Sequence, residues 1–155
     1  MKLALGSDHT GVQQRKKVAQ LLKDRQIDCD EFGPEEGDSS DYPQVAYEVA
    51  REVSGGGADL GILICGTGIG MSIAANKVPK IRAAAVHDTY TAKMARMHNH
   101  ANILCVGSRT SAGDELLRIV ETFLDTAPEG GRHERRVCQI MQIEQENRLS
   151  GKQAT

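Results

Sequence analysis

The stretch Asp59-Leu-Gly-Ile-Leu-Ile-Cys-Gly-Thr-Gly-Ile-Gly-Met-Ser72 decides the fold. From Leu60 to Ile64 it is a short apolar run with two β-branched residues, the kind that is buried on both faces of a parallel sheet. It then turns through Gly66, Gly68 and Gly70, and Met71 to Lys77 reads as the start of a helix. A buried strand therefore ends in a cysteine, crosses a glycine turn and hands over to a helix. Glycines let backbone N–H groups approach a ligand closely, and a helix N-terminus is electropositive. Such a cradle suits an anion, and a thiol placed at it has the makings of a nucleophile or base beside an oxyanion site. Cys65 is that thiol, with Thr67 and Ile69 between the glycines. The plain reading is a buried filler cysteine in a chain reversal. A dinucleotide fingerprint is a third reading, weakened because Met71 stands where its last glycine belongs, although Asp88 lies at a workable distance for the ribose-binding acid. No Gly-Lys-Ser/Thr follows, so the stretch is not a P-loop.

Outward from this stretch, strand and helix patterns alternate. Lys2 to Gly6, Ile27 to Phe32, Ile81 to Val86 and Ile103 to Val106 read as further strands. Helices are expected over Gln13 to Arg25, from Asp41-Tyr42-Pro43 to Gly55-Gly56-Gly57, over Thr89 to His98 with Met94 and Met97 inward, and over Asp114 to Leu124. A last helix runs from about Arg132 to Arg148, and Ser150 to Thr155 reads as a frayed tail. The expectation is one α/β domain over 1–149 and a tail over 150–155: a doubly wound, three-layer α/β/α sandwich on a five-stranded parallel sheet. Ligands of such sheets bind beyond the carboxyl ends of the strands, where Asp8-His9, Cys65-Gly66-Thr67, His87-Asp88 and Gly107-Ser108-Arg109 fall.

The 155 residues fit one domain with a sizeable core. A net charge of −2 argues against a general nucleic-acid binder, and 3% aromatics with no Trp argue against base stacking. No apolar run reaches membrane-spanning length. The N-terminus reaches Asp8 too soon for a signal peptide. Cys29, Cys65, Cys105 and Cys138 form no CxxC, so free thiols in a reducing cytoplasm are expected.

Three further groups carry chemistry. Asp8 and His9 are a capping pair, or a sugar-hydroxyl and a phosphate partner. His98-Asn99-His100 ends a helix; it is a dipole contact, half of a metal set without a second ligand pair, or a proton shuttle. Arg132 and Arg136, four apart, share a helix face and can grip a phosphate dianion. Alternatively they form a solvated basic start with Glu129 and Glu134 as partners. Basic charge at a helix N-terminus opposes the dipole, which favours an anion there.

The stretches Gly6-Ser-Asp-His9, Ser40-Asp-Tyr-Pro43, Ile64-Cys-Gly-Thr-Gly-Ile-Gly70, Arg96-Met-His-Asn99, Ala101-Asn-Ile-Leu104, Gly107-Ser-Arg109 and Gly130-Gly-Arg-His133 span nearly the whole chain. Together they resemble the ribose-5-phosphate isomerase B family, which also holds the galactose-6-phosphate and allose-6-phosphate isomerases. The resemblance implies an aldose–ketose isomerisation of ribose 5-phosphate and ribulose 5-phosphate through an enediol, in the non-oxidative pentose phosphate pathway, with no metal or organic cofactor. It implies Cys65 as base with Thr67 beside it, the amides of Gly66, Gly68, Ile69 and Gly70 as anion hole, and His98 helped by Asp8 in ring opening. It implies Asn99 and Tyr42 as sugar contacts, and His9, Arg109, Arg132 and Arg136 as the phosphate cluster. It also implies strand order 2-1-3-5-4 and a homodimer, or a dimer of two such dimers, with the site shared between subunits and the last helix, through Val137, Ile140 and Ile143, across the partner. A hexose-6-phosphate isomerase of the same family stays open, as does a non-catalytic nucleotide- or phosphate-binding module. The galactose version divides the motifs between two different chains, whereas here they lie on one.

Overall fold

The computed structural model describes residues 1–111 and 114–153. Strands β1 (Lys2–Ser7), β2 (Asp28–Phe32), β3 (Leu60–Cys65), β4 (Ala83–Ala85) and β5 (Ile103–Gly107) form one sheet in the order β2-β1-β3-β5-β4. Every pairing is parallel. The three central strands are buried along their whole length apart from Lys2, as their apolar runs require. Their side chains alternate between two cores. Leu3, Leu5, Ile62, Ile64, Leu104 and Val106 face helices α1 (Val12–Asp24), α4 (Thr89–Asn99) and α5 (Glu115–Asp125). Ala4, Leu63, Cys65, Ile103 and Cys105 face α2 (Tyr42–Gly55) and α3 (Ile69–Ala75). This is the expected three-layer sandwich. No helix among the described residues is long and apolar enough to cross a membrane.

The rims of the sheet differ from its centre. β2 exposes Asp28, Asp30 and Glu31. β4 has three residues rather than the expected run from Ile81 to Val86, because Ile81 packs beneath the α2–α3 layer and Arg82 turns away to donate to the His100 carbonyl. On α4, Ala92 and Ala95 are buried while Met94 and Met97 are only partly covered. Small residues let this helix lie close to the sheet, which leaves the two methionines at its margins instead of in the core. The triglycine ends α2 as anticipated, with Gly56 in the left-handed region at φ 80°. Asp41 occupies the N-cap of α2 without a side-chain cap bond.

The long helix α6 (Arg132–Gln153) stands outside the sandwich and continues past Arg148 into the segment read as a tail; Ala154 and Thr155 lie outside the described residues. Val137 is buried, whereas Ile140 and Ile143 are exposed. The Glu144 carboxylate accepts from the Lys80 N–H at 3.0 and 3.1 Å, which ties α6 to the loop before β4.

Candidate active site

Parallel strands end at one edge, and β1, β3 and β5 bring three polar turns together there. Backbone bonds fix them to one another. Asp8 N–H donates to the Ile64 carbonyl at 3.1 Å, Ser108 N–H to that of Cys65 at 2.7 Å, and Arg109 N–H to that of Gly66 at 3.1 Å. Cys65 closes β3, 5% exposed, and the Gly68 N–H donates to its Sγ at 3.2 Å. An amide aimed at sulfur stabilises negative charge there. Thr67 is exposed, and its Oγ1 accepts from the Ile69 N–H at 3.4 Å. α3 has only seven residues and begins at Ile69, two earlier than the sequence suggests. Its dipole is correspondingly small, so the amides of the turn carry more of the anion-holding role than the helix does.

Gly68 is left-handed, φ 79°, and a Cβ there would stand 3.0 Å from the backbone of Cys105 and Val106. Both facts forbid a side chain without movement of β5 or of the turn. Gly68→Ala is therefore expected to cost at least about 1–2 kcal/mol, from the left-handed penalty alone. Urea unfolding midpoints at unchanged m-value check this. Gly107 admits the turn from the other side, since a Cβ there would come within 2.8 Å of the Thr67 Cα.

Several predicted residues surround this turn. The Arg109 side chain lies over Gly66, and the Tyr42 ring lies against Gly70. His9 is exposed, its Nδ1 3.2 Å from the Ser40 carbonyl oxygen. Asp8 is nearly buried, and its Oδ1 accepts from Thr10 N–H at 2.8 Å and Thr10 Oγ1 at 2.6 Å. It therefore holds its own turn and does not cap α1, whose N-cap is Gly11. Behind the turn, buried Arg15 donates to the carbonyls of Phe32 and Pro34, both at 2.9 Å, and fixes the root of the loop that leads to Tyr42.

His98 and Asn99 lie elsewhere. α4 runs back from the carboxyl edge, so its end reaches the amino edge of the sheet. Just beyond it, Asn102 N–H donates to the Arg82 carbonyl at 3.1 Å, and Gly61 N–H donates to the Asn102 carbonyl at 2.9 Å. Cys65 is four residues along β3 from Gly61, or about 13 Å at 3.3 Å per residue. One chain does not bring His98 to Cys65. Arg132 and Arg136, both exposed, begin α6 on the His98 side. Among the described residues neither pairs with Glu129 or Glu134, the partners that the solvated reading named.

The His98 side holds two groups that the sequence did not assign to it. The His133 ring, 5% exposed, stacks on His98 with centroids 3.9 Å apart and planes 7° from parallel. Glu129 Oε2 is 3.8 Å from His98 Nε2. Burial, then His98, push the His133 pKa down, with Arg132 and Arg136 adding to the effect and Glu129 opposing it. The three ligand-type atoms lie within 4.8 Å of one another. Stacked rings point their in-plane lone pairs side by side rather than at a common centre, and Arg132 Nε donates to His133 Nε2 at 3.2 Å. That arrangement is unlike a tetrahedral zinc set. The only signal of it in the sequence was a Glu and a His bracketing Gly130-Gly131.

Residues 3–140 match the family model described as Ribose/Galactose Isomerase. The chain belongs to that family. Within the ribose/galactose isomerase family, it is 42% identical over 144 residues to the ribose-5-phosphate isomerase B of Escherichia coli K12, covering 93% of this chain and 97% of that one. A solved ribose-5-phosphate isomerase B of Clostridium thermocellum superposes with a TM-score of 0.92 at 47% identity, covering 95% and 99% of the two chains. The Mycoplasma genitalium enzyme, solved with bound ribulose-5-phosphate, superposes with a TM-score of 0.89 at 43% identity, covering 94% and 97%. The superpositions cover nearly the whole of both chains, so these proteins share the fold described above. The dinucleotide reading of the glycines has no support from these neighbours.

Proposed function

We propose that this chain interconverts ribose 5-phosphate and ribulose 5-phosphate through an enediol, with Cys65 as the base. The observation that carries the reading is the sulfur at the end of β3 with the Gly68 N–H directed at it, inside the polar edge of the sheet. In the open aldehyde, Cys65 thiolate takes the proton from C2, the electron pair moves to the carbonyl oxygen, and the turn's amides hold the enediolate. Passage of the O2 hydroxyl proton to O1 and return of the carbon-bound proton to C1 give the ketose, so no electron acceptor is needed. Thr67, the amides of Gly66, Gly68, Ile69 and Gly70, and Tyr42 surround that chemistry. His9 and Arg109 begin the grip on the phosphate, whose binding positions the reacting carbons.

Cyclic ribose 5-phosphate must open first. His98 is the acid for this step, with Asp8 as its helper and Asn99 on the sugar. His98 and Asn99 lie at the other edge of the sheet from Cys65 and Asp8 in one chain, so we place them, with Arg132 and Arg136, beside the Cys65 and Asp8 of a second copy. A homodimer, alone or doubled, then has two composite sites. The apolar face left exposed on α6, with Ile140 and Ile143, supports pairing. Four free cysteines support a reducing, cytoplasmic setting.

The test is a panel of ribose, allose and galactose phosphates assayed with the purified protein before and after exhaustive chelation. Ribose 5-phosphate is expected to have the highest kcat/KM, unchanged by the chelator. A clear preference for a hexose 6-phosphate moves the chain to another branch of its family. Loss of activity restored by zinc or manganese overturns the metal-free mechanism. Binding without turnover of any of the three returns it to a phosphate-binding module.

A further inference from the structure

We propose that Glu129 is a positioning residue, which together with His133 fixes the ring of His98 for proton transfer; this rests on the reading of His98 as the ring-opening acid. His98 is the penultimate residue of α4, and its side chain is 35% exposed. A side chain at a helix end has rotamer freedom, and a proton donor that wanders loses most of its advantage. Two groups remove that freedom here. His133 covers one face of the ring, 3.9 Å away and nearly parallel. Glu129 meets its edge, with Oε2 3.8 Å from Nε2.

Neither placement is incidental. Glu129 N–H donates to the Met97 carbonyl at 2.9 Å, and the Glu129 carbonyl oxygen lies 2.7 Å from His100 Nε2. The loop before α6 is thus bound twice to the end of α4, which fixes the Glu129 backbone beside His98. His100 holds the left-handed conformation, φ 47°, that turns its ring towards this loop. On the stacked face, the Arg132 Nε–H donates to His133 Nε2, so that nitrogen is an acceptor and the His133 ring is neutral, with its proton on Nδ1. Two charged imidazoles would not stack at this distance; a neutral one supports a neighbour that changes charge.

The charges facing His98 explain why a carboxylate is needed. His133, Arg132 and Arg136 come from α6, and His100 from the end of α4. Each is neutral or positive, and only Glu129 is negative among those named. Within its own chain, Glu129 is the group that meets the edge of the His98 ring with an acceptor. A carboxylate at the ring's edge orients the imidazole, as the acid partner of a catalytic histidine does.

The experiment pairs two readouts in the full-length protein. Turnover of ribose 5-phosphate requires ring opening. Deuterium wash-in from D2O at C1 of ribulose 5-phosphate does not, because that ketose has its O5 esterified and stays acyclic. Glu129→Gln keeps the shape and removes the charge. It is expected to lower kcat for ribose 5-phosphate on the order of 10-fold, a fraction of what a general acid contributes, with KM and wash-in near wild type. Glu129→Asp should recover part of the loss. Equal loss in turnover and wash-in, or no loss at all, overturns the assignment of Glu129. His98→Asn is the reference: if it leaves ribose 5-phosphate turnover intact, the reading of His98 itself fails, whereas a slow His98→Asn beside a normal Glu129→Gln defeats only the positioning role.

Discussion

Cys65→Ala is expected to abolish measurable isomerisation, a loss of at least about 10²–10⁴-fold, the range general-base catalysis contributes, while the protein still binds ribose 5-phosphate. The argument separates two parts of the site. The sulfur closes β3 and touches the amide of Gly68. The handle for the substrate is its phosphate dianion, which we place on His9, Arg109 and the arginines of α6, none of which depends on the sulfur. Removing one buried sulfur leaves a small void at the end of β3, in a core cluster that also holds small residues such as Ala46 and Ala50. The folded state therefore survives the change. Titration calorimetry should give a Kd close to wild type, within the few-fold change expected of a group that acts in the transition state rather than in ground-state binding. The same variant should show no deuterium wash-in into ribulose 5-phosphate, which distinguishes it from any lesion at His98. Near-normal turnover by Cys65→Ala would remove the thiol from the mechanism.

Mixing two dead variants should restore activity. Cys65→Ala and His98→Asn, each purified alone, are expected to be inactive or nearly so. Denatured together and refolded, or co-expressed, they form mixed pairs with one composite site intact, carrying Cys65 from one chain and His98 from the other. Random pairing makes half of the dimers mixed and each mixed dimer half active, so recovery should approach about a quarter of wild type under two-fold symmetry. The basis is the sheet itself. Gly61 bonds to Asn102 at the amino edge, and Cys65 lies at the carboxyl edge. If the site were built within one chain, every mixed dimer would contain two lesions in separate sites, and no activity would return.

The sequence determined the cysteine turn because its chemistry is local. An apolar run, a thiol and three glycines are contiguous, and the backbone follows from them. The parallel sheet was legible for the same reason, each strand carrying its own periodicity. The strand order and the packing of Tyr42 on Gly70 rest on contacts between distant segments; the resemblance to a family implied the first, and no local pattern carries the second. The shortness of β4 and the outward turn of Met94 and Met97 depend on how closely α4 approaches the sheet, which no local pattern encodes. His133 was visible in the sequence as part of an arginine-rich helix start. Its role beside His98 was not, because it requires α6 to dock on the end of α4, a contact between residues 35 apart in the chain. The split of the candidate site between two edges was implicit in the alternation of strand and helix: a helix that follows a strand carries its far end back to the strand's origin.

The rims of the sheet have a consequence for assembly. One rim displays the acidic side chains of Asp28, Asp30 and Glu31, and the other is a strand of only three alanines. Neither is a template on which a foreign strand readily settles, since charge repels on one side and brevity offers few ladder bonds on the other. Copies of this chain are thereby steered away from the endless strand-upon-strand growth that produces fibres.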